Sequence, residues 1–335
     1  MKNLAIALAA ALLIATIGCG DSKSPMLTYV ARSSSDDVPH LFTLNEATQQ
    51  STAVSIPIPD TAYYVAANSA ANAVTYCRDA DSGWDIFLMG TDGVEKQLTT
   101  GADACESVFS PDGKAIAFIS GQSGDLQTYT MNVDGTNQAA LFAPAAGTAE
   151  QFYPEFSPDG KSLVIYIESA GCNCSNAAHR KAVRIPSWAT QRHGTTRAQV
   201  HPATAPPAGV SSSGWYVMAL TDTAPTLAYA TTSWWGPAVF SGDGSKLLLT
   251  MWDGNDDNVF SVNMDGSGLT PLTTSTDTDN FSPVPYKNLI VFNRYNGDTS
   301  SWDIYVMNQD GSNQTLVHTT ANTWETLLDS YWSGD

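Results

Sequence analysis

The stretch that decides the fold runs from Glu106 to Leu141: Glu106-Ser-Val-Phe-Ser-Pro-Asp-Gly-Lys-Ala-Ile-Ala-Phe-Ile-Ser120, then Gly121-Gln-Ser-Gly-Asp-Leu-Gln-Thr-Tyr-Thr-Met-Asn-Val-Asp-Gly-Thr-Asn137. It holds short apolar runs, each closed by a turn signal. Val108-Phe109 ends at Ser110-Pro111-Asp112-Gly113, Ile116–Ile119 ends in a Gly/Ser loop, and Leu126–Met131 ends at Asp134-Gly135. A fourth run, Ala139 to Phe142, follows. Asp-Gly between apolar runs signals a hairpin, because the tight turn needs positive φ and glycine supplies it without steric cost. The stretch therefore reads as a four-stranded antiparallel meander of about 40 residues, the size of one propeller blade.

Copies of this unit fill the chain. One opens at Tyr63-Tyr64-Val65-Ala66, with Asn68–Asn72 as a worn first turn, Trp84–Met89 as its third strand and Asp92-Gly93 as its last turn. Another begins at Tyr153-Pro154-Glu155-Phe156-Ser157-Pro158-Asp159-Gly160-Lys161, and Phe156 lies 47 residues after Phe109. It is interrupted after Glu168 and resumes at Trp215. Two more follow, at Ala238–Lys246 with Asp265-Gly266, and at Pro283–Lys287 with Asp310-Gly311. The first unit (Leu27–Ala31, His40–Leu44, Ala53–Ile58) lacks an opening strand, and the tail Tyr331-Trp332-Ser333-Gly334-Asp335 matches Glu155–Asp159. The expectation is an all-β, six-bladed propeller of four-stranded antiparallel blades over 27–335. Its ring would be closed by the C-terminal strand joining the N-terminal blade, which removes exposed edges.

The repeats carry a resemblance. The Ser-Pro-Asp-Gly-Lys turn, the Asp303-Ile304-Tyr305-Val306-Met307 strand and the Asp-Gly turn after it resemble the repeats of TolB-type β-propellers, relatives of the WD-repeat propellers. The family carries a separate α/β domain ahead of its propeller. Residues 19–26 leave no room for one, so the propeller part alone is expected. What the resemblance implies is a periplasmic binding propeller.

Composition narrows the partners. The 335-residue chain has 15 Lys+Arg against 33 Asp+Glu, a formal charge of -18. Such a balance argues against nucleic acid and against resting on an anionic membrane surface. Residues 1–18 read as a signal peptide: Lys2 is followed by an apolar run, Leu4–Ile17, too short to span a bilayer. Gly18-Cys19 resembles a bacterial lipoprotein signal with Cys19 lipidated, and 19–26 form a tether. The location expected is the bacterial envelope, lipid-anchored in periplasm or outer membrane, as a monomer with envelope proteins as partners.

Four further cysteines, Cys77, Cys105, Cys172 and Cys174, fall toward the face bearing the loops between second and third strands. In an oxidising compartment they are disulfide candidates, with Cys77–Cys105 the preferred pair. A metal reading would use Cys172, Cys174, His179 and His193, but their spacing fits no zinc pattern. No cofactor is expected. Calcium is the alternative for the acidic loops 79–85 and 253–258, while turn chemistry explains Asp92, Asp134, Asp265 and Asp310.

The largest departure from the repeat is the insertion 169–213. It holds Arg180, Lys181, Arg184, Arg192 and Arg197 with no acidic residue, and three of the five histidines, His179, His193 and His201. A long loop on a rigid scaffold is a natural place for function. These eight residues are the candidate binding set, and pairing with the acidic body is the plain alternative. No catalytic residue is marked: there is no Gly-x-Ser-x-Gly elbow and no His pair at metal-binding helical spacing. The reading is a non-enzymatic, protein-binding scaffold. The alternatives are an envelope glycan or peptide hydrolase or lyase using the central opening with His179 and His201, and a carbohydrate or calcium-dependent binding module. The tryptophans Trp84, Trp215, Trp234, Trp235, Trp252 and Trp302 suit either sugar stacking or the packing between blades, and packing is the default.

Overall fold

The computed structural model describes residues 14–16, 26–32, 39–45, 50–54, 56, 58–68, 70–81, 83–142, 149–169, 212–231, 237–275, 277–286, 288–296, 301–318 and 331–332. Among these are five blades of four antiparallel strands, each a meander in sequence order. The first blade is Tyr63–Asn68, Ala73–Ala80, Gly83–Gly90 and Glu95–Gln97. The second is Ala104–Phe109, Ala115–Ser120, Gln127–Asn132 and Ala139–Ala140. The third is Ala149–Phe156, Ser162–Ser169, Gly214–Ala219 and Thr226–Ala230, so the interrupted hairpin closes across the insertion. The fourth is Val239–Phe240, Lys246–Trp252, Asp257–Asn263 and Thr270–Pro271. The fifth is Asn280–Tyr286, Leu289–Asn296, Ser301–Asn308 and Thr315–His318.

This corrects the expected count of six four-stranded blades to five. The remaining sheet has five strands, ordered Tyr331–Trp332, Ile14–Thr16, Met26–Arg32, Pro39–Asn45 and Gln50–Val54. The place expected for the C-terminal strand, directly beside Met26–Arg32, is taken by Ile14–Thr16 in antiparallel register, Ile14 opposite Thr28. Tyr331–Trp332 pairs instead with Ile14–Thr16, and in parallel. The β-branched Ile14 and Thr16 suit a strand.

The first strands touch one another in succession around the propeller axis, which makes them the inner wall. The blades pack face to face through alternate residues of their strands. Ile86, Leu98, Phe109, Phe118 and Met131 fill the space between the first and second blades. Leu163, Ile165, Ile167 and Tyr216 face Val108 and Ala117 between the second and third. Val259, Leu272, Ile290, Phe292 and Met307 join the fourth to the fifth. Trp215 is buried in such a layer, while Trp252 stays 41% exposed.

The repeated turn explains the repeated sequence. In each Ser-x-Asp-Gly turn the serine hydroxyl donates to the aspartate and accepts a backbone N–H five residues after the serine. In the second blade Ser110 Oγ reaches Asp112 Oδ1 at 2.8 Å and takes Ala115 N at 2.9 Å. Ser157–Asp159 and Ser241–Asp243 repeat it. Those bonds, the serine hydroxyl's foremost, hold the carboxyls of Asp159 and Asp243 below their usual range. The turns also stack on each other. A Cβ at Gly113, where φ is +67°, would meet Ala71 N at 2.6 Å and Asn68 Oδ1 at 2.8 Å of the preceding blade's turn.

Candidate functional site

The inner strands share an irregularity. Four of them slip register midway, and the slipped residue is left-handed although it is not glycine: Tyr64 (φ 48°), Glu106 (52°), Tyr153 (51°) and Ser282 (51°). Each lies four residues ahead of the residue that opens the first turn: Asn68, Ser110, Ser157 and Tyr286. A bulge of this kind kinks the strand and re-aims side chains. A left-handed non-glycine residue costs on the order of 1–3 kcal/mol and persists only where its surroundings hold it, often at functional sites. Tyr64, Glu106 and Tyr153 sit on three successive blades, so they form one level of the inner wall.

Around this level the structure gathers a cluster. Tyr64, Cys77 and Cys105 are buried together, with Tyr63, Trp84 and Tyr153 half-buried against them. Cys77 of the first blade and Cys105 of the second are joined as a disulfide across the seam, with Cα atoms 5.1 Å apart. The Tyr63 and Trp84 rings meet edge to face at 5.2 Å. Glu106, 8% exposed, accepts the backbone N–H of Tyr153 at Oε2, 2.8 Å away on the third blade. Burial pushes its carboxyl up to about 7, and the Tyr153 N–H bond only partly offsets that. Next to it, Ser107 Oγ is buried with no hydrogen-bond partner.

Other sequence candidates prove to be parts of the frame. Asp85, buried at the start of the third strand, accepts Thr99 Oγ1 (2.9 Å), Gly101 N (3.0 Å), Ala102 N (3.2 Å) and Gln97 Nε2 (3.2 Å). It thus clasps the segment leading to the next blade, and Asn258 does the same with Thr273. Asp134 and Asp310 hold their own turns through Thr136 and Ser312. The amides of Gln138 and Gln314 just after those turns reach back to Leu98 O and Leu272 O of the preceding blades.

Of the acidic loops, Asp253 accepts Asn255 N, Asp256 N and Asn258 Nδ2 within its own loop. Asp79 and Asp81 line a cleft of about 490 Å³ with Arg78, Phe87, Gln97 and Thr100. The Arg78 guanidinium lies 3.8 Å over the Phe87 ring and pairs with Glu95 at 2.9 Å. Glu95 also takes the Tyr76 hydroxyl at 2.5 Å. Among the described residues no group of three or more His, Cys, Asp or Glu is placed to hold a metal ion. Cys19, Cys172, Cys174, His179, Arg180, Lys181, Arg184, Arg192, His193, Arg197 and His201 lie outside the described residues.

Comparison with known proteins bears on the fold. The structure superposes on TolB from Acinetobacter baumannii with a TM-score of 0.58 at 17% identity, over 89% of this chain and 64% of that one. It superposes on a putative TolB from Agrobacterium tumefaciens with a TM-score of 0.60 at 16% identity, over 88% and 93%. The fold is a TolB-type β-propeller. The same architecture extends to an oligogalacturonate lyase from Vibrio parahaemolyticus, with a TM-score of 0.54 at 12% identity over 90% and 75% of the two chains. By sequence the chain is similar to an uncharacterized protein of Agrobacterium fabrum, 36% identical over 92 residues, which is 27% of this chain and 30% of that protein. No family model matches. One fold thus covers proteins named TolB and an oligogalacturonate lyase, so function has to be argued from the site.

Reading the sequence missed the bulge residues. Their signal was present, as a polar or aromatic residue four positions before the turn that opens each second strand, but nothing in that residue's chemistry announces a left-handed backbone.

Proposed function

We propose that the protein is a non-enzymatic TolB-like scaffold of the bacterial envelope, which captures a protein segment on the inner wall at the level of the Tyr64, Glu106 and Tyr153 bulges, through half-buried side chains there such as Tyr63 and Tyr153. The observation that carries this reading is the left-handed bulge at the same level of three adjacent blades. Strain of that kind, repeated around the wall and surrounded by half-buried Tyr63 and Trp84, suits an adaptable aromatic contact surface. Envelope location is supported by the Gly18-Cys19 lipoprotein-like start and by the two TolB neighbours. Anchoring would run through lipid on Cys19, with several acyl chains giving stable attachment, and maturation there would remove Ile14–Thr16 from its place beside Met26–Arg32.

The test is photo-crosslinking in cells with the full chain. A photoreactive residue at half-buried Tyr63 or Tyr153 is expected to trap a discrete envelope protein, and one at Trp252, exposed at the end of the fourth blade's second strand, is expected to trap none. Equal labelling from all three positions, or a specific adduct from Trp252 alone, removes the inner wall as the contact.

A further inference from the structure

We propose that the contact between the second and third blades at Glu106 is a proton-sensitive joint, relaxed when this side chain is a neutral acid and strained when it is a carboxylate. Its consequence for capture rests on the inner-wall reading above. The joint itself does not.

The geometry is that of a carboxyl bridging two blades. Glu106 lies in the second blade's inner strand, and the Tyr153 N–H it accepts belongs to the third blade. Removing an ionised carboxylate from water is costly unless opposite charge or several donors meet it. The strands packed against Ala104–Phe109 carry Tyr63 and Tyr64, then Tyr76, Arg78 and Asp79, then Asp85, and on the third blade Glu150, Tyr153 and Glu155. Cys77 and Cys105 are tied up in the disulfide. The one basic group in that set, Arg78, is paired with Glu95. The disulfide at the adjacent Cys105 ties the strand to the first blade and limits how far Glu106 can shift toward water. Burial raising its carboxyl to about 7 agrees with this geometry.

The sign follows from linkage. A glutamate whose folded value is raised stabilises the fold fully below its ordinary value of 4.5, and that contribution is lost as pH rises to about 7. Above that pH the wall gains a negative charge and prefers a partner offering a lysine or arginine side chain.

The experiment compares urea unfolding of the wild-type chain and Glu106→Gln across this range, without partner. Glutamine keeps the acceptor for Tyr153 N–H but cannot ionise. The wild-type folding constant relative to the variant is expected to fall on the order of a hundredfold between pH 4.5 and pH 7. Carbon NMR of the wild-type glutamate carboxyls reads the same event and needs no variant: one carboxyl is expected to titrate near 7. Parallel unfolding profiles, or no glutamate titrating above the ordinary range, overturn the proposal. Because no partner is present, that failure leaves the crosslinking result untouched, and failure to crosslink leaves the joint untouched.

Discussion

Two seams of the propeller solve one problem with different chemistry. The inner-strand bulge of the fifth blade exposes the N–H of Ser282, and Thr250 Oγ1 on the fourth blade accepts it at 3.0 Å. The bulge of the third blade exposes the N–H of Tyr153, and the acceptor on the second blade is the Glu106 carboxyl at 2.8 Å. A hydroxyl keeps one state across the working pH range, whereas a buried carboxyl does not. The bulge demands an acceptor from the neighbouring blade, and the identity of that acceptor decides what the seam responds to. A third seam shows the covalent extreme. Cys77, like Thr250 the fifth residue of its second strand, is bonded outright to the next blade's inner strand at Cys105.

Breaking these links should give graded effects. Replacing both Cys77 and Cys105 by alanine removes a cross-link over a sequence separation of 28. Loss of a loop that size is expected to cost about 3.5 kcal/mol in urea unfolding. Thiol reduction of the wild type should reproduce the loss, and a variant as stable as the parent would show the staple to be idle. Thr250→Val keeps the shape and leaves the half-buried Ser282 N–H without its acceptor, so about 1 kcal/mol is expected. That cost should be the same at pH 5 and pH 8. A pH-dependent cost there would erase the contrast with Glu106.

Sequence made the blade legible because each blade's turn chemistry is local. The Ser110–Asp112 and Asp134–Thr136 bonds span two residues each, so spacing alone announces them. Asp85 showed in the sequence as part of the acidic loop 79–85, although not as the acceptor of four bonds from 12 to 17 residues downstream. The blade count failed because strand order is not local. Nothing in Ile14-Ala15-Thr16 says that it will lie beside Met26–Arg32 and take the place expected for the tail. The bulges were hidden for a similar reason: tertiary packing, not intrinsic preference, puts Tyr64, Glu106 and Tyr153 at positive φ. The insertion's charge was plain in the sequence, and 170–211 lie outside the described residues.

The most direct test of the inner wall as the contact surface is hydrogen–deuterium exchange on the full chain, alone and with the protein trapped by crosslinking. Slowed exchange confined to 63–68, 104–109 and 149–156, with the outer strands at 95–97 and 226–230 unchanged, is the expected result. Protection on those outer strands with the inner strands unaltered would contradict it.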